Sequence, residues 1–273
     1  MGVRILTHVP ITYGEQAPVV PGAVGSIETL FVLDTGSDVH ILTKELVDRL
    51  GLAVEPGEEG VDHSGATMPS WSVEDVLLTL GGFDVALDDV VSIPAPEPFP
   101  RLGIGGILSP QHLHPTAVTV IDLLHDELVL VEADAEELVP WLEARSPGLS
   151  SLSLERDPSF TSVAVRGIAV RAFAERTTLL NSGGKRTEFS RAAVPGLAGG
   201  EEERLGAGVS GADIRGSIAG AQVLDVAGRE VHVAELTMRE VMHDPQGMIG
   251  IDVLRGTVLA VAADLARPVV WRV

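Results

Sequence analysis

The chain repeats itself at about half its length, and this restricts its fold more than any single motif does. Phe31-Val-Leu-Asp-Thr-Gly-Ser37 is matched by Thr178-Leu-Leu-Asn-Ser-Gly-Gly184, which sets Asp34 over Asn181 at an offset of 147 (181 − 34). Ser64-Gly-Ala-Thr67 is matched by Ser210-Gly-Ala-Asp213, and Leu78-Thr-Leu-Gly-Gly-Phe83 by Leu224-Asp-Val-Ala-Gly-Arg229, both at 146 (210 − 64 and 224 − 78). A fourth pair, Gly106-Ile-Leu-Ser-Pro-Gln-His-Leu113 and Gly247-Met-Ile-Gly-Ile-Asp-Val-Leu254, follows at 141 (247 − 106). One such match is chance-level, but an ordered series at nearly constant spacing points to duplication. A chain of 273 residues divided in two leaves each half long enough to bury a core of its own.

Within each half the pattern reads mostly as strand. Ile27 to Leu33 is an apolar run that stops at Asp-Thr-Gly, and the runs Val73 to Leu80 and Val85 to Val91 flank Gly81-Gly82 as a hairpin. Thr43 to Gly51 places Leu46, Val47 and Leu50 at helical spacing and closes on glycine. The matching stretch Ser190 to Leu197 contains Pro195 and predicts a shorter, broken helix. Ala133 to Ala144 reads as a helix with Asp134 as N-cap, followed by a linker at Ser146-Pro-Gly-Leu-Ser-Ser151. The expected organisation is an N-terminal unit at 1–132, a joining segment at 133–152 and a C-terminal unit at 153–273.

Composition narrows the function classes. The hydrophobic 45% is mainly aliphatic and aromatics are only 4%, which favours sheet. A formal net charge of −20, unbroken by any Lys/Arg cluster in the sequence, argues against a nucleic-acid or anionic-membrane partner. Absence of cysteine removes disulfides, thiol nucleophiles and thiolate metal sites together. Met1 to Pro10 carries no apolar run of signal-peptide length, and no stretch is long enough for a membrane-spanning helix, so the expected location is cytoplasmic. His112, His114 and His125 lack a carboxylate cluster at ligand spacing, so no metal is expected. Gly103-Ile-Gly-Gly106 lacks the strand, helix and acidic partner of a nucleotide site.

Phe31-Val-Leu-Asp-Thr-Gly-Ser-Asp38 carries the chemistry: a hydrophobic strand delivers a carboxylate into a turn that glycine permits. Taken alone, Asp-Thr-Gly is equally well a strand-ending turn. Its context, a turn followed by a flap hairpin and then by a hydrophobic-hydrophobic-Gly brace, occurs twice in order and resembles the pepsin and retropepsin families of aspartic peptidases. The resemblance covers nearly the whole chain. It implies a mainly β, two-lobed pepsin-like aspartic protease fold in which each lobe is a retropepsin-like β-barrel with one or two short helices. Met248-Ile249-Gly250 fits the brace, whereas Ser109 stands where the first brace would carry glycine, which predicts a slightly looser approach there.

The resemblance also implies site residues. Asp34 and the position of Asn181 are the catalytic pair, supported by Thr35, Gly36, Ser37, Ser182 and Gly183, with Thr35 and Ser182 bonded across the two halves. Ser37 is expected to donate its hydroxyl to Asp34. Substrate contacts fall on Asp38, on the first flap at Ser64, Gly65, Ala66 and Trp71, and on the second at Ser210 and Gly211, although each flap residue is equally part of a plain exposed hairpin. Trp71 either covers the cleft or packs beneath the flap. Lys185 occupies the place of Asp38 in the second half, so the cleft is chemically lopsided. The implied partner is an extended peptide or unfolded protein, with pepstatin-type inhibitors as ligands, bound by a monomer without a cofactor.

Two close carboxylates share a proton and so offer an acid and a base together. Asn181 keeps the shape of a carboxylate but neither ionises nor trades protons. Three readings of it stand: a deliberate substitution that traps an inactive form, a naturally degenerate second site, or a residue that converts slowly to aspartate. The resemblance therefore implies an aspartic endopeptidase scaffold silenced at Asn181, with a natural, non-catalytic peptide-binding protein as the alternative.

Overall fold

The computed structural model describes residues 2–14, 17–240, 242 and 244–273. The apolar runs form strands, and the protein is mainly β. Strands used on one face alternate, as in Val76–Leu80, where Val76, Leu78 and Leu80 are buried and Leu77 is exposed. Strands covered on both faces are apolar throughout, as in Ile104–Leu108 and Val258–Ala262.

Most strands fall into three sheets. In the ten-stranded sheet, Ile27–Leu33 lies between antiparallel Ala17–Val24 and parallel Ile104–Leu108, and the latter pairs antiparallel with His40–Thr43. The nine-stranded sheet repeats this scheme with later residues: Arg176–Leu180 lies between antiparallel Ala164–Val170 and parallel Gly247–Ile249, which pairs antiparallel with Glu188–Ser190. Leu33 is opposite Leu108 in the first and Leu180 opposite Ile249 in the second, so both central strands end beside the matching brace.

The six-stranded sheet draws on both parts of the chain, running from Arg4–Pro10 through Glu127–Glu132, Val118–Asp122, Val258–Ala262 and Val269–Arg272 to Ser151–Leu154. Helix Ala135–Arg145 buries Leu138 and Leu142 in a cluster with Val120, Val129 and Ala260 of this sheet. Asp134 is its N-cap, but through its backbone: its carbonyl accepts from the amides of Glu137 and Leu138, and its side chain makes no capping bond. The expected linker ends inside a strand, since Ser151 opens Ser151–Leu154 and pairs with Arg272.

Helix Lys44–Leu50 follows its local signals. Thr43 Oγ1 accepts from the Leu46 amide, Leu46 and Val47 are buried, and Gly51 at φ 67° donates its amide to the last turn. The matching stretch after Ser190 forms turns and no helix, with the Ala193 amide donating to the Ser190 carbonyl and Leu197 to Val194. Pro195 has no amide to donate and disfavours the helical conformation of Val194, so the segment cannot propagate. Among the described residues no helix is long and apolar enough to cross a membrane.

Candidate active site

Each central strand ends in a sharp turn, and the two turns meet. The Asp34 amide donates to the Leu108 carbonyl at 2.9 Å and the Asn181 amide to the Ile249 carbonyl at 2.8 Å, so each brace holds its turn by the same bond. Asp34 Oδ1 accepts from the Gly36 amide at 2.8 Å, and Asn181 Oδ1 accepts from the Gly184 amide at 2.8 Å. Asn181 also donates from Nδ2 to Met248 Sδ at 3.2 Å.

The turns interlock through Thr35 and Ser182, both fully buried. The Thr35 amide donates to Ser182 Oγ at 3.1 Å and the Ser182 amide to Thr35 Oγ1 at 2.9 Å. Ser182 Oγ donates to the Leu33 carbonyl at 2.8 Å, and Thr35 Oγ1 donates to the Leu180 carbonyl. Glycine is required where they touch. A Cβ on Gly36 would lie 2.5 Å from Asn181 Nδ2, and one on Gly183 would lie 2.5 Å from Asp34 Cγ. Each glycine therefore seats the Asp34 or Asn181 side chain of the opposite turn.

Burial pushes the Asp34 carboxyl above its ordinary value, opposed by the amides of Gly36 and Gly183 and by the nearby His63. Asn181 carries no charge to add to this field. Two cavities flank the pair and share Asp34, Ile107 and Val209. One, of about 510 Å³, lies beneath the hairpin at Val61 to His63, against Leu179 and Met248; the other, of about 410 Å³, lies beneath Ala207 to Val209, against Val32 and Phe99.

Both expected flaps are hairpins. In the first, Gly60–Val61 pairs with Thr67–Met68, and in the second, Glu203–Ala207 pairs with Asp213–Ile218. They are joined by a residue that sequence reasoning did not single out. Asp62 Oδ2 accepts from the Ser210 amide at 2.9 Å and from Ser210 Oγ at 2.6 Å, while Oδ1 accepts from the Ser64 amide at 2.8 Å and from the Ser64 hydroxyl. His63 ties the first hairpin to strands Glu188–Ser190 and Thr237–Arg239: its Nε2 lies 2.9 Å from Glu188 Oε2 and its carbonyl accepts from Arg239 Nη1 at 2.9 Å. Glu188 and Arg239 are a buried ion pair at 3.4 Å. The Asp62-x-Ser64-Gly65 pattern, a side chain poised to bond its own backbone two residues on, was the available clue to Asp62. For Glu188 and Arg239 the clue was charge within short buried strands.

Other expected residues sit differently from their expectations. The Ser37 hydroxyl donates to the Val39 carbonyl at 2.7 Å and not to Asp34, because the turn aims it along the outgoing chain. Ser64, Gly65 and Ala66 form the first hairpin's tip around Asp62 and are not on the walls of either cavity, whereas Gly211 lines the second. Trp71 lies beyond the flap on strand Trp71–Val73, paired with Val90–Ile93, with Lys44 Nζ 6.0 Å from its ring centroid; it lines neither cavity. Asp38 does line the first cavity, but its Oδ1 is taken by Thr161 Oγ1 at 2.9 Å and the Ser162 amide at 2.8 Å. Ser109 is accommodated by hydrogen bonding: its Oγ donates to the Ser37 carbonyl at 2.8 Å and its amide to His40 Nδ1 at 3.2 Å. At Gly250 a Cβ would lie 2.4 Å from the Arg186 carbonyl oxygen, so only the second brace demands glycine there. No group of three or more metal-ligating side chains occurs among the described residues.

Residues 20–108 match the family model described as Aspartyl protease. That stretch holds the Asp34 turn, the first flap hairpin and the first brace as far as Leu108, and the match supports an aspartic-protease-like domain, of protease type at that coarse level. No curated protein matches the chain.

Proposed function

We propose that the chain is a single-chain aspartic endopeptidase scaffold of two lobes, 1–132 and 153–273, joined through 133–152 and related by duplication. A monomer binds an extended peptide or unfolded segment in the cleft beneath the two hairpins. The reading is supported above all by the reciprocal seating of Asp34 and Asn181 against Gly183 and Gly36. In a working pair, one ionised carboxylate takes a proton from water while the protonated partner donates to the peptide carbonyl. Asp34 supplies one of these groups. Asn181 has no proton to exchange, so bound peptide is held and not cleaved.

A second reading, a peptide-binding protein whose native residue is Asn181, draws on the Nδ2 contact with Met248. A carboxylate there would offer the thioether no donor. Asn181→Asp separates the two. Pepstatin-sensitive cleavage of denatured protein, gained by this variant and lost again on adding Asp34→Ala, supports the peptidase scaffold. Absence of cleavage by Asn181→Asp at every pH from acidic to neutral favours the binder, and cleavage that survives Asp34→Ala places the chemistry elsewhere.

A further inference from the structure

The two cavities beside Asp34 differ in charge. Both draw their lining from the two halves of the chain: Asp38 and Ile41 face Leu179 and Met248 in the first, and Val32 and Phe99 face Gly183 and Lys185 in the second. The cavity beneath the first hairpin has Asp34, Asp38, Asp62 and Asp244 on its lining and neither lysine nor arginine among the described residues. The cavity beneath the second hairpin has Arg101, Lys185 and Arg204, with Glu97 and the shared Asp34, around an apolar floor of Val32, Phe99 and Ile104. The chain has 19 basic residues against 39 acidic ones, so a lining with three cations to two carboxylates departs from the prevailing balance.

These cations are not equally committed. Arg204 is paired with Asp213, whereas Lys185, one of the chain's two lysines, is exposed and makes no ion pair among the described residues. Lys185 stands at the position of Asp38 in the repeat, so the reversal of charge occurs at equivalent places on the two turns. Apolar walls beside a charged group concentrate its field along the cleft.

We infer that the cleft reads the charge order of its peptide: the cavity at Phe99 and Lys185 takes an apolar side chain with an acidic one two residues away, and the cavity at Asp38 and Asp244 takes an apolar side chain near a basic one. The inference rests on the reading of the cleft as a peptide site. In an extended peptide, residues two apart point to the same side, which lets an apolar group fill the floor while its acidic neighbour reaches Lys185 at the rim. Such pairing acts chiefly as selection among peptides, since the wrong order sets like charges together at both ends.

The test uses the full chain and three fluorescent octapeptides with a central Leu-Phe pair: one with Glu on the N-terminal side and Lys on the C-terminal side, one with the reverse order, and one with Gln throughout. Fluorescence anisotropy is expected to show one charge order binding about tenfold tighter than the other, with the difference shrinking as salt is added. Lys185→Asp is expected to erase most of that discrimination and Lys185→Arg to keep it. Equal binding of both orders, or discrimination untouched by Lys185→Asp, overturns the charge reading while leaving the peptide site in place. Failure of all three peptides to bind overturns the peptide site and this inference with it.

Discussion

Thr35 and Ser182, 147 positions apart, each donate a backbone amide to the other's hydroxyl in a fully buried contact. Their hydroxyls in turn donate hydrogen bonds to the carbonyls of Leu180 and Leu33, the residues that precede the opposite turns. The two turns are thus tied by side chains that satisfy backbone groups no sheet reaches. Thr35→Val keeps the shape but leaves the Ser182 amide and the Leu180 carbonyl without partners. Loss of about 2 kcal/mol is expected in urea unfolding, with Thr35→Ser close to the parent.

Asp34 should make stability fall as pH rises. Burial raises its folded value above the ordinary 3.8, so above that pH the folded state holds more proton than the unfolded state. Its contribution is complete below the unfolded value and is lost as pH rises through the folded one. Asp34→Asn has no such loss, so the stability of the variant relative to the parent is expected to increase between acidic and neutral pH. Urea midpoints measured across that range check the sign.

His40 acts in the opposite direction. Its fully buried ring is neutral, with Nδ1 accepting from the Ser109 amide and Nε2 facing the His112 carbonyl at 3.3 Å. Burial pushes it down from 6.5 to about 4, partly offset by the bond to His112. The unfolded state binds more proton between these values, so stability complete above pH 6.5 is lost as pH falls towards 4, by about 3 kcal/mol. Thr187 takes the same place in the second half, where its Oγ1 accepts from the Gly250 amide. His40→Thr is expected to remove the acid-side loss while lowering stability at neutral pH through lost ring packing, both read from denaturant midpoints.

Asp62 joins the two hairpins through Ser210, and a Cβ on Gly208 would lie 2.0 Å from its Oδ2. Burial pushes its carboxyl up, but donations from Ser210 and Ser64 outweigh this and leave it below the ordinary value. The contact is therefore complete above pH 3.8 and lost as pH falls through the lower folded value. Asp62→Ala is expected to speed amide hydrogen exchange in both hairpins at neutral pH, leaving the six-stranded sheet unchanged. Equal protection of the hairpins in parent and variant would show that Asp62 does not hold them together.

The parts of the site legible in the sequence are those set by short-range rules. Helix Lys44–Leu50 starts at a threonine cap and stops at a left-handed glycine, and both hairpins turn on local small and polar residues. The offset between Asp34 and Asn181 foretold two matching strand ends, and the pairings of Leu33 with Leu108 and Leu180 with Ile249 put them beside matching braces. The stretch after Ser190 forms turns where the sequence predicts a short broken helix, because Pro195 stops a segment too short to gain from packing.

What the sequence determined by itself was the repeated order of turn, hairpin and brace, and the asymmetry of Asp34 with Asn181 and of Asp38 with Lys185, since residue identity and spacing survive without coordinates. Tertiary structure decided which groups meet. Ser37 turns to Val39, Trp71 sits outside the cleft, and Asp62 reaches Ser210 across 148 positions and Arg239 reaches His63 across 176. Hydrogen bonds act over about 3 Å of space and carry no record of separation along the chain, so these partners existed only once the strands had brought the two turns together.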